Sequence, residues 1–203
     1  RLVTAGAEVT VVSLEVTQRK QSRTIDSDEQ PRNARPEKIP SLRPAFRENG
    51  TVTPANSSSI SDGGAALVMM RRSQAEQRGL RIKAIIHGHA THAQEPAWFT
   101  TAPIGAIRTL LSKVNWNSGD VDLFEVNEAF AVVTMAAMRE LDLPHDKVNV
   151  HGGACALGHP VGASGARIIV TLLNALEKYD LKRGVASLCI GGGEATAMAF
   201  ERV

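Results

Sequence analysis

Strand-like runs alternate with helix-like segments through the second part of the sequence. In order, the patterns predict a strand over 81–89, a helix near 102–113, a strand over 121–126, a helix over 127–141, a strand from 147, a glycine-rich loop, a helix over 166–179 and two closing strands joined by three glycines. Strands that alternate with helices build a sheet covered by helical layers. The order therefore predicts an α/β domain that closes in a β-hairpin.

The helix over 166–179 has one clear apolar face. Ile168, Ile169, Leu172, Leu173 and Leu176 fall on one side of a 3.6-residue period. We expect this face to lie on the sheet.

The first part of the chain is less regular. Residues 9–16 are β-branched and partly alternating, which predicts a strand. A polar segment over 51–64 then leads into the apolar run 66–70, which favours a buried strand, and a short helix follows and ends at Gly79. We place the domain boundary here, with one unit over 1–79 and another over 80–203.

Residues 18–50 form a basic, proline-rich excursion. They carry eight basic residues and four prolines, a composition that prevents a long regular element: Arg19, Lys20, Arg23, Arg32, Arg35, Lys38, Arg43, Arg47, Pro31, Pro36, Pro40 and Pro44. The segment is either a solvated loop or a lid whose cations meet the phosphates of a nucleotide-like ligand. An RNA-binding domain is a weaker alternative, because Phe46 is the one aromatic residue nearby.

Charge and hydropathy narrow the functional classes. The chain has 203 residues with 43% hydrophobic content, and 23 basic side chains face 21 acidic ones. This near balance favours neither nucleic acid nor an anionic membrane as partner. No run of about 18 apolar residues and no signal-peptide pattern is present. We expect a soluble, cytoplasmic protein.

Two cysteines, Cys155 and Cys189, are too few for a disulfide framework or a cysteine-ligated zinc site. Each is therefore either a packed apolar residue or a reactive thiol.

Three segments of the second part place polar or reactive groups directly after strands, where open α/β sheets hold their ligands. Asn127 heads NEAFA, where it could cap the next helix. His159 lies in GGACALGHPVGASGAR, whose glycines allow close approach of a substrate, and a neutral imidazole there could take a proton from a thiol. Cys189 opens CIGGGEA at a strand tip beside glycine N–H groups, a place suited to a general base.

Together, in this order and spacing, these segments resemble the three C-terminal signature blocks of the thiolase family. The upstream DEQPR, LRPAF and NSSSISDGGAALV resemble the loop-domain segment of that family, at about 17–55 and just beyond. The resemblance covers nearly the whole chain after residue 16.

The resemblance implies roles for four residues. His159 corresponds to the histidine that activates the acyl-accepting cysteine and donates toward the thioester oxygen. Cys189 corresponds to the base that removes the α-proton of the second acyl-CoA. Asn127 corresponds to the asparagine whose bound water stabilises the enolate oxygen, and the N–H of Gly191 to part of an oxyanion hole.

The resemblance also implies a coenzyme A groove. Ser58 and Phe46 correspond to segments lining the pantetheine arm, and Arg32 to a cation near the nucleotide end. Glu128 is expected to orient its neighbours. Cys155 has no catalytic counterpart, and we expect it to pack.

By the same resemblance, the fold is the thiolase-like layered α/β/α arrangement of two similar halves. We expect a complete C-terminal domain and a truncated N-terminal domain, because neither cysteine matches the acyl-carrying motif and the chain opens at Arg1 inside a strand-like run. The missing half, or a longer parent chain, is therefore an expected partner. Without that cysteine, the fragment alone is expected to be inactive in acyl transfer.

The implied function is that of a short-chain thiolase acting on acyl-CoA and CoA in fatty acid metabolism, either joining two acetyl-CoA to acetoacetyl-CoA or running the reverse thiolysis. A homo-oligomer, dimer or tetramer, is expected, with no metal and no bound organic cofactor. The alternative is a non-catalytic thiolase-like subunit that binds acyl-CoA or lipid, or that acts in assembly.

Overall fold

The computed structural model describes residues 13–203. Its first element is a two-stranded antiparallel hairpin of β1 (Leu14–Gln18) and β2 (Gln21–Ile25). Of the strand predicted over 9–16, residues 9–12 lie outside the described residues. The described part of that strand begins at Leu14 and continues two residues further than predicted, to Gln18.

The basic segment contains only short elements, as its prolines predict. After β2 come helix α1 (Glu29–Asn33), a 3-10 helix over Pro36–Ser41 and a 3-10 turn over Pro54–Asn56. Helix α2 (Arg72–Gln77) follows, and Gly79 adopts a φ of +63° just beyond its end. The predicted helix and its terminal glycine are thus confirmed.

The apolar run 66–70 does not form the predicted buried strand. It pairs with no strand among residues 13–203, and Val68 and Met69 are 88% and 65% exposed. Only Leu67 packs inward, against the apolar cluster that contains Ile168, Leu172 and Leu176. The prediction is wrong because hydropathy reports a preference for burial, and no described element of this chain covers these side chains.

The second part forms one four-stranded sheet in the order β3-β6-β5-β4. These strands are β3 (Ala84–Ala93), β4 (Leu123–Val126), β5 (Arg183–Ile190) and β6 (Glu194–Arg202). The closing hairpin of β5 and β6 is antiparallel, as predicted, whereas β4 runs parallel to β5. The strand predicted from 147 is not formed, and a single bridge from Val148 to Phe124 stands in its place.

Helices cover both faces of this sheet. Helices α3 (Ala102–Val114) and α4 (Ala131–Leu141) share a core cluster with Val185, Ala197 and Ala199. Helix α6 (Ser164–Lys178) packs on the other face with Leu123, Ala186 and Phe200. The layered α/β/α architecture is confirmed.

The apolar face of α6 behaves as its periodicity predicts. Ile168, Leu172 and Leu176 are at most 2% exposed. Burying each such side chain stabilises the fold by about 1.5–3 kcal/mol, so this helix is held mainly by the sheet beneath it.

Helix α4 begins later than predicted. It starts at Ala131, and Phe130, with an extended φ of −137°, precedes it. Residues 127–130 form a loop instead, so Asn127 does not cap the helix. The reason is that both ends of the Asn127 side chain are engaged elsewhere, as described below.

No helix within residues 13–203 combines the length and apolar character needed to cross a membrane.

Candidate active site

The parallel pair β4 and β5 sets the position of Asn127. Val126 is paired with Ser187, and the backbone N–H of Asn127 donates to the Ser187 carbonyl at 2.9 Å. Asn127 is only 1% exposed. The side chain of Asn127 is therefore anchored at the carboxyl edge of the sheet. Its hydrogen-bond partner on β5, Ser187, lies two residues before Cys189.

The polar loop 57–61 holds the backbone of His159. The N–H of His159 donates to the Ser59 carbonyl at 2.8 Å, and Ile60 forms a parallel bridge with His159. Gly158 has a φ of +87°, and a Cβ there would lie 2.3 Å from the Ser61 hydroxyl. Only glycine satisfies both the backbone conformation and this close approach, so the glycine before the histidine is required by geometry.

A chain of side-chain hydrogen bonds joins Arg167, Asn127, His159 and Ser164. Arg167 Nη2 donates to Asn127 Oδ1 at 3.3 Å, and Asn127 Nδ2 lies 3.3 Å from His159 Nε2. On the other side of the ring, His159 Nδ1 lies 2.6 Å from Ser164 Oγ, which donates to the Pro160 carbonyl at 3.1 Å.

The two ends of this chain fix its direction. Arginine only donates and a backbone carbonyl only accepts. Asn127 must therefore turn its oxygen to Arg167 and its N–H to His159 Nε2, while Ser164 accepts from His159 Nδ1. His159 consequently carries its proton on Nδ1 and presents a lone pair on Nε2.

The protonation of His159 agrees with this arrangement. Burial lowers the pKa of His159 below its usual 6.5, and the nearby Arg167 charge lowers it further. The imidazole is therefore neutral near pH 7. Its Nε2 lone pair accepts from Asn127 Nδ2–H and can take a proton in exchange for that hydrogen bond.

Cys189 lies near the end of β5 and is 8% exposed. It packs in the core cluster of α3 and α4, and burial raises the pKa of its thiol. Within residues 13–203 its sulfur makes no hydrogen bond to Asn127 or His159. The structure thus places it at the same sheet edge as Asn127, in an apolar setting that makes the thiolate, once formed, a strong base.

The three glycines after β5 differ in their surroundings. A Cβ at Gly191 would meet nothing within 4 Å, so the space beside its Cα is open. Gly193 has a φ of +102°, and a Cβ there would lie 2.3 Å from the Gln94 carbonyl oxygen. Gly193 therefore has a structural requirement that Gly191 lacks.

Glu128 connects the loop over residues 127–130, called here the asparagine loop, to the glycine-rich loop. Its carboxylate accepts from the Cys155 N–H at 3.0 Å and from Asn149 Nδ2 at 2.9 Å. A Cβ at Gly153 would overlap this carboxylate. These contacts are those of an orienting residue, and burial together with the Glu128 charge raises the pKa of Cys155 to about 11.

Two of the three predicted coenzyme A contacts lie against the asparagine loop. Ser58 Oγ donates to the Ala129 carbonyl at 2.9 Å. Phe46 is 71% exposed and meets the Phe130 ring edge-on, with centroids 5.4 Å apart. Arg32 lies apart from them on α1, with its side chain in solvent.

Three residues of the site were not predicted from the sequence. Two of them, Ser164 and Arg167, belong to the hydrogen-bond chain, and the third is Glu125, whose carboxyl lies 3.5 Å from Arg167 Nη1. Ser164 and Arg167 stand three apart at the start of α6, which places two polar side chains together on one helical turn. Glu125 interrupts an otherwise apolar strand and is 2% exposed. The sequence signal that could have identified Glu125 is a charged residue within an otherwise apolar strand.

An open groove lies apart from this hydrogen-bonded network. It has a volume of about 1020 Å³ and lies between α3 and α4, lined by His92, Arg108, Met135 and Arg139 among others, and none of the predicted site residues lines it. Across the part of the chain that the structure describes, no group of three or more His, Cys, Asp or Glu side chains is arranged to hold a metal ion.

Comparison with known proteins identifies the family. The model of the thiolase C-terminal domain matches residues 80–202, and the model of the thiolase N-terminal domain matches residues 5–73. The cytosolic acetyl-CoA acetyltransferase of Mus musculus is 47% identical over 195 residues, which is 95% of this chain and 49% of that protein.

Two solved structures are also similar to this chain in fold and sequence. The acetyl-CoA acetyltransferase of Bacillus anthracis superposes with a TM-score of 0.85 at 42% identity, over 95% of this chain and 49% of that one. The Acat5 thiolase of Ascaris suum, solved in complex with coenzyme A, superposes with a TM-score of 0.75 at 39% identity, over 89% and 47% of the two chains.

The chain thus spans about half the length of the relatives it matches. Both family models match within it, and between them they include the polar loop as well as the asparagine, histidine and cysteine segments. On these matches, the chain belongs to the thiolase family.

Proposed function

We propose that this chain carries the carbon-acid half of a thiolase-type acyltransferase acting on short-chain acyl-CoA. In the full reaction, two acetyl-CoA give acetoacetyl-CoA and CoA, or the reverse thiolysis occurs. The observation that carries the proposal is the contact between Asn127 Nδ2 and a neutral His159 at the sheet edge where Cys189 also lies. The names of the relatives support the choice of acetyl-CoA as substrate.

The proposed chemistry assigns a role to each group. The Cys189 thiol gives up its proton to solvent water, and its thiolate then takes a proton from the α-carbon of acetyl-CoA. The C–H electron pair forms a C=C bond, and the π pair of the carbonyl moves onto the thioester oxygen to give an enolate. The Asn127 amide, through a water, stabilises that oxygen, and the N–H of Gly191 forms part of an oxyanion hole. His159 Nε2 takes the proton of an acyl-accepting thiol and, once protonated, donates to the same oxygen.

Carbon–carbon bond formation needs an acyl group on a further thiol. The enolate attacks that thioester carbonyl, and the thiol leaves as a thiolate. We propose that this thiol belongs to an N-terminal half or longer parent chain, which fits the half-length coverage of the relatives. The domain boundary near 79/80 fits the family matches, which change from the N-terminal to the C-terminal model there.

Substrate contacts, assembly and location complete the proposal. Ser58 and Phe46 line the pantetheine arm and Arg32 meets the nucleotide end of CoA. Their support is the contact of Ser58 and Phe46 with the asparagine loop. We further propose a homo-oligomer, dimer or tetramer, acting in the cytoplasm in fatty acid metabolism without a bound cofactor.

Deuterium exchange tests the carbon-acid half directly, because it requires no acyl-carrying thiol. The chain is incubated with acetyl-CoA in D₂O, and deuterium in the acetyl methyl group is measured by mass spectrometry. We expect exchange in the unaltered chain and in Cys155→Ser, and a loss of about 100-fold or more in Cys189→Ser. Absence of exchange, with coenzyme A binding retained by calorimetry, would favour the non-catalytic binding subunit instead.

Covalent labelling tests the acyl-transfer half. Incubation with acetyl-CoA followed by intact-mass analysis should show no acetyl adduct on either cysteine of this chain. An adduct on Cys155 would refute the proposal that the acyl-carrying thiol comes from outside this sequence.

A further inference from the structure

Arg167 occupies an unusual position beside the site. Its guanidinium is largely buried, with 18% of the side chain exposed, and its Nη2 donates to Asn127 Oδ1 at 3.3 Å. Its Nε and Nη1 are buried without a hydrogen-bond partner among the described residues. Within residues 13–203, the one hydrogen bond that this cation makes to another side chain is therefore the bond to Asn127.

The acidic neighbour of Arg167 neutralises it only partly. Glu125 Oε2 lies 3.5 Å from Arg167 Nη1. Burial nevertheless raises the pKa of Glu125 to about 8, despite the opposing effect of Arg167. Near pH 7 the carboxyl is therefore largely protonated, and the positive charge of Arg167 remains directed at the Asn127 amide.

We propose that Arg167 is a positioning residue for the thiolase half-reaction: it holds the Asn127 amide with the oxygen turned away from the site and the N–H turned toward His159 and the enolate. An asparagine amide has two nearly equivalent orientations, and the reversed one would present an oxygen to a developing negative charge. A donor-only partner on one side removes that orientation. This inference rests on the proposed function, because it deepens the role given to Asn127.

The arginine charge strengthens the same bond. Chains of hydrogen bonds polarise one another, so a cation on Asn127 Oδ1 makes Nδ2–H a better donor. The same charge lowers the pKa of His159. The elements around the histidine carry several ionisable groups besides Glu177, Lys178 and Arg183, which lie at the opposite ends of α6 and β5. These groups are Arg167 on α6, Glu125 on β4, Glu128 in the loop 127–130, Cys155 on the short helix α5 (Ala154–Leu157), Asp62 just after the polar loop and Cys189 on β5. Of these, Arg167 is the one whose charge acts on that pKa.

The variants separate charge, geometry and fold. Arg167→Met is combined with Glu125→Gln so that no carboxylate is left buried and unpaired. Arg167→Lys keeps the charge but loses the planar fork. Arg139→Met, an exposed arginine on α4, is the matched control. Should the double variant fail to fold, Arg167→Gln replaces it as the uncharged variant.

Three measurements are made on each variant. Nitrogen-15 NMR titration of the His159 ring reports its pKa, and contacts between the Asn127 amide protons and the ring report orientation. Both are independent of turnover. Methyl deuterium exchange with acetyl-CoA then reports the effect on the reaction.

In the uncharged variant we expect the His159 pKa to rise, the amide contact to disappear and exchange to fall about 10- to 100-fold. Arg167→Lys should keep the lowered pKa and recover part of the exchange. An unchanged His159 pKa and amide contact in the uncharged variant would overturn the inference, even if stability fell. If the unaltered chain shows no exchange, the proposed function fails while the NMR result still decides the role of Arg167.

Discussion

His159 illustrates how single residues determine the chemistry of this site. Its ring is held from both sides, by Ser164 Oγ at 2.6 Å from Nδ1 and by Asn127 Nδ2 at 3.3 Å from Nε2. A neutral imidazole in water exchanges freely between two tautomers. Here a donor on one side and an acceptor on the other select the form with a lone pair on Nε2.

Ser164→Ala tests this selection. Removing the acceptor leaves Nδ1–H without a partner, so the other tautomer becomes accessible and the deuterium exchange rate should fall about tenfold. Ring nitrogen-15 shifts should show mixed tautomers. Ser112→Ala, an exposed serine on α3, is the control and should change neither quantity. Identical ring shifts in Ser164→Ala and the unaltered chain would contradict the assignment.

Glu125 provides a pH-dependent prediction at the same scale. Its pKa is raised to about 8 in the folded chain from a usual value of 4.5, chiefly by burial. The unfolded chain ionises first, so the contribution of this group to stability is full below pH 4.5 and is lost as the pH rises toward 8. Glutamine does not titrate, so Glu125→Gln should escape that loss.

Urea denaturation at pH 5 and pH 8 measures the difference. Relative to the unaltered chain, Glu125→Gln should gain free energy of unfolding between these two pH values, on the order of a few kcal/mol. The control Glu48→Gln, at an exposed position, should show the same difference at both. An equal effect of Glu125→Gln at the two pH values would show that the carboxyl is ionised in the folded chain across this range.

Among the elements, the β5–β6 hairpin matters both for stability and for the proposed site. Its strands pair in register from Arg183 with Glu201 to Ile190 with Glu194. The turn between them carries a backbone position that only glycine fits, at Gly193, and also Gly191, whose N–H is the proposed oxyanion donor. The turn must therefore be built correctly for the proposed oxyanion donor to face the site.

Gly193→Ala should destabilise the chain by about 1–3 kcal/mol, because it imposes a strained φ and brings a methyl group onto the Gln94 carbonyl. Thermal unfolding measures the loss. Gly64→Ala, where a Cβ would meet nothing within 4 Å and φ is not positive, should change stability by less than about 0.5 kcal/mol. Equal melting temperatures for the two variants would show that the turn relaxes without cost.

For the molecule as a whole, the distribution of apolar surface is the distinctive feature. Ile60, Val68 and Val161 are 92%, 88% and 67% exposed, beside a well-packed two-faced core. Ile60 and Val68 lie within the unit over 1–79, and we expect the missing half to cover them.

Val68→Lys combined with Met69→Lys tests that surface. At equal concentration, the double variant should show less self-association by sedimentation velocity and less binding of a hydrophobic dye than the unaltered chain. Folding should be unaffected, since neither side chain is buried. Lys substitution at Leu67, which packs under α6, should instead lower stability and serves as the contrasting variant.

Much of the fold followed from local patterns. The structure contains the helix predicted near 102–113, the helix predicted over 166–179 and the two closing strands joined by glycines. Such elements bury one face, and the spacing of their apolar residues can be read from the sequence alone. The resemblance also led to the family. It named Asn127 and His159, and the structure joins these two by a hydrogen bond.

Other features were settled only by tertiary contacts. Nothing local to NEAFA shows that α4 starts at Ala131, because Asn127 is kept out of the helix by Arg167 and His159, which lie 40 and 32 residues away. The apolar run 66–70 stays exposed because burial depends on what covers a side chain as well as on its hydropathy. Periodicity in the sequence thus determined which helix and strand faces are suited to burial. Long-range packing decided which polar groups meet and how they are protonated, since contacts and protonation both depend on residues far away in the sequence.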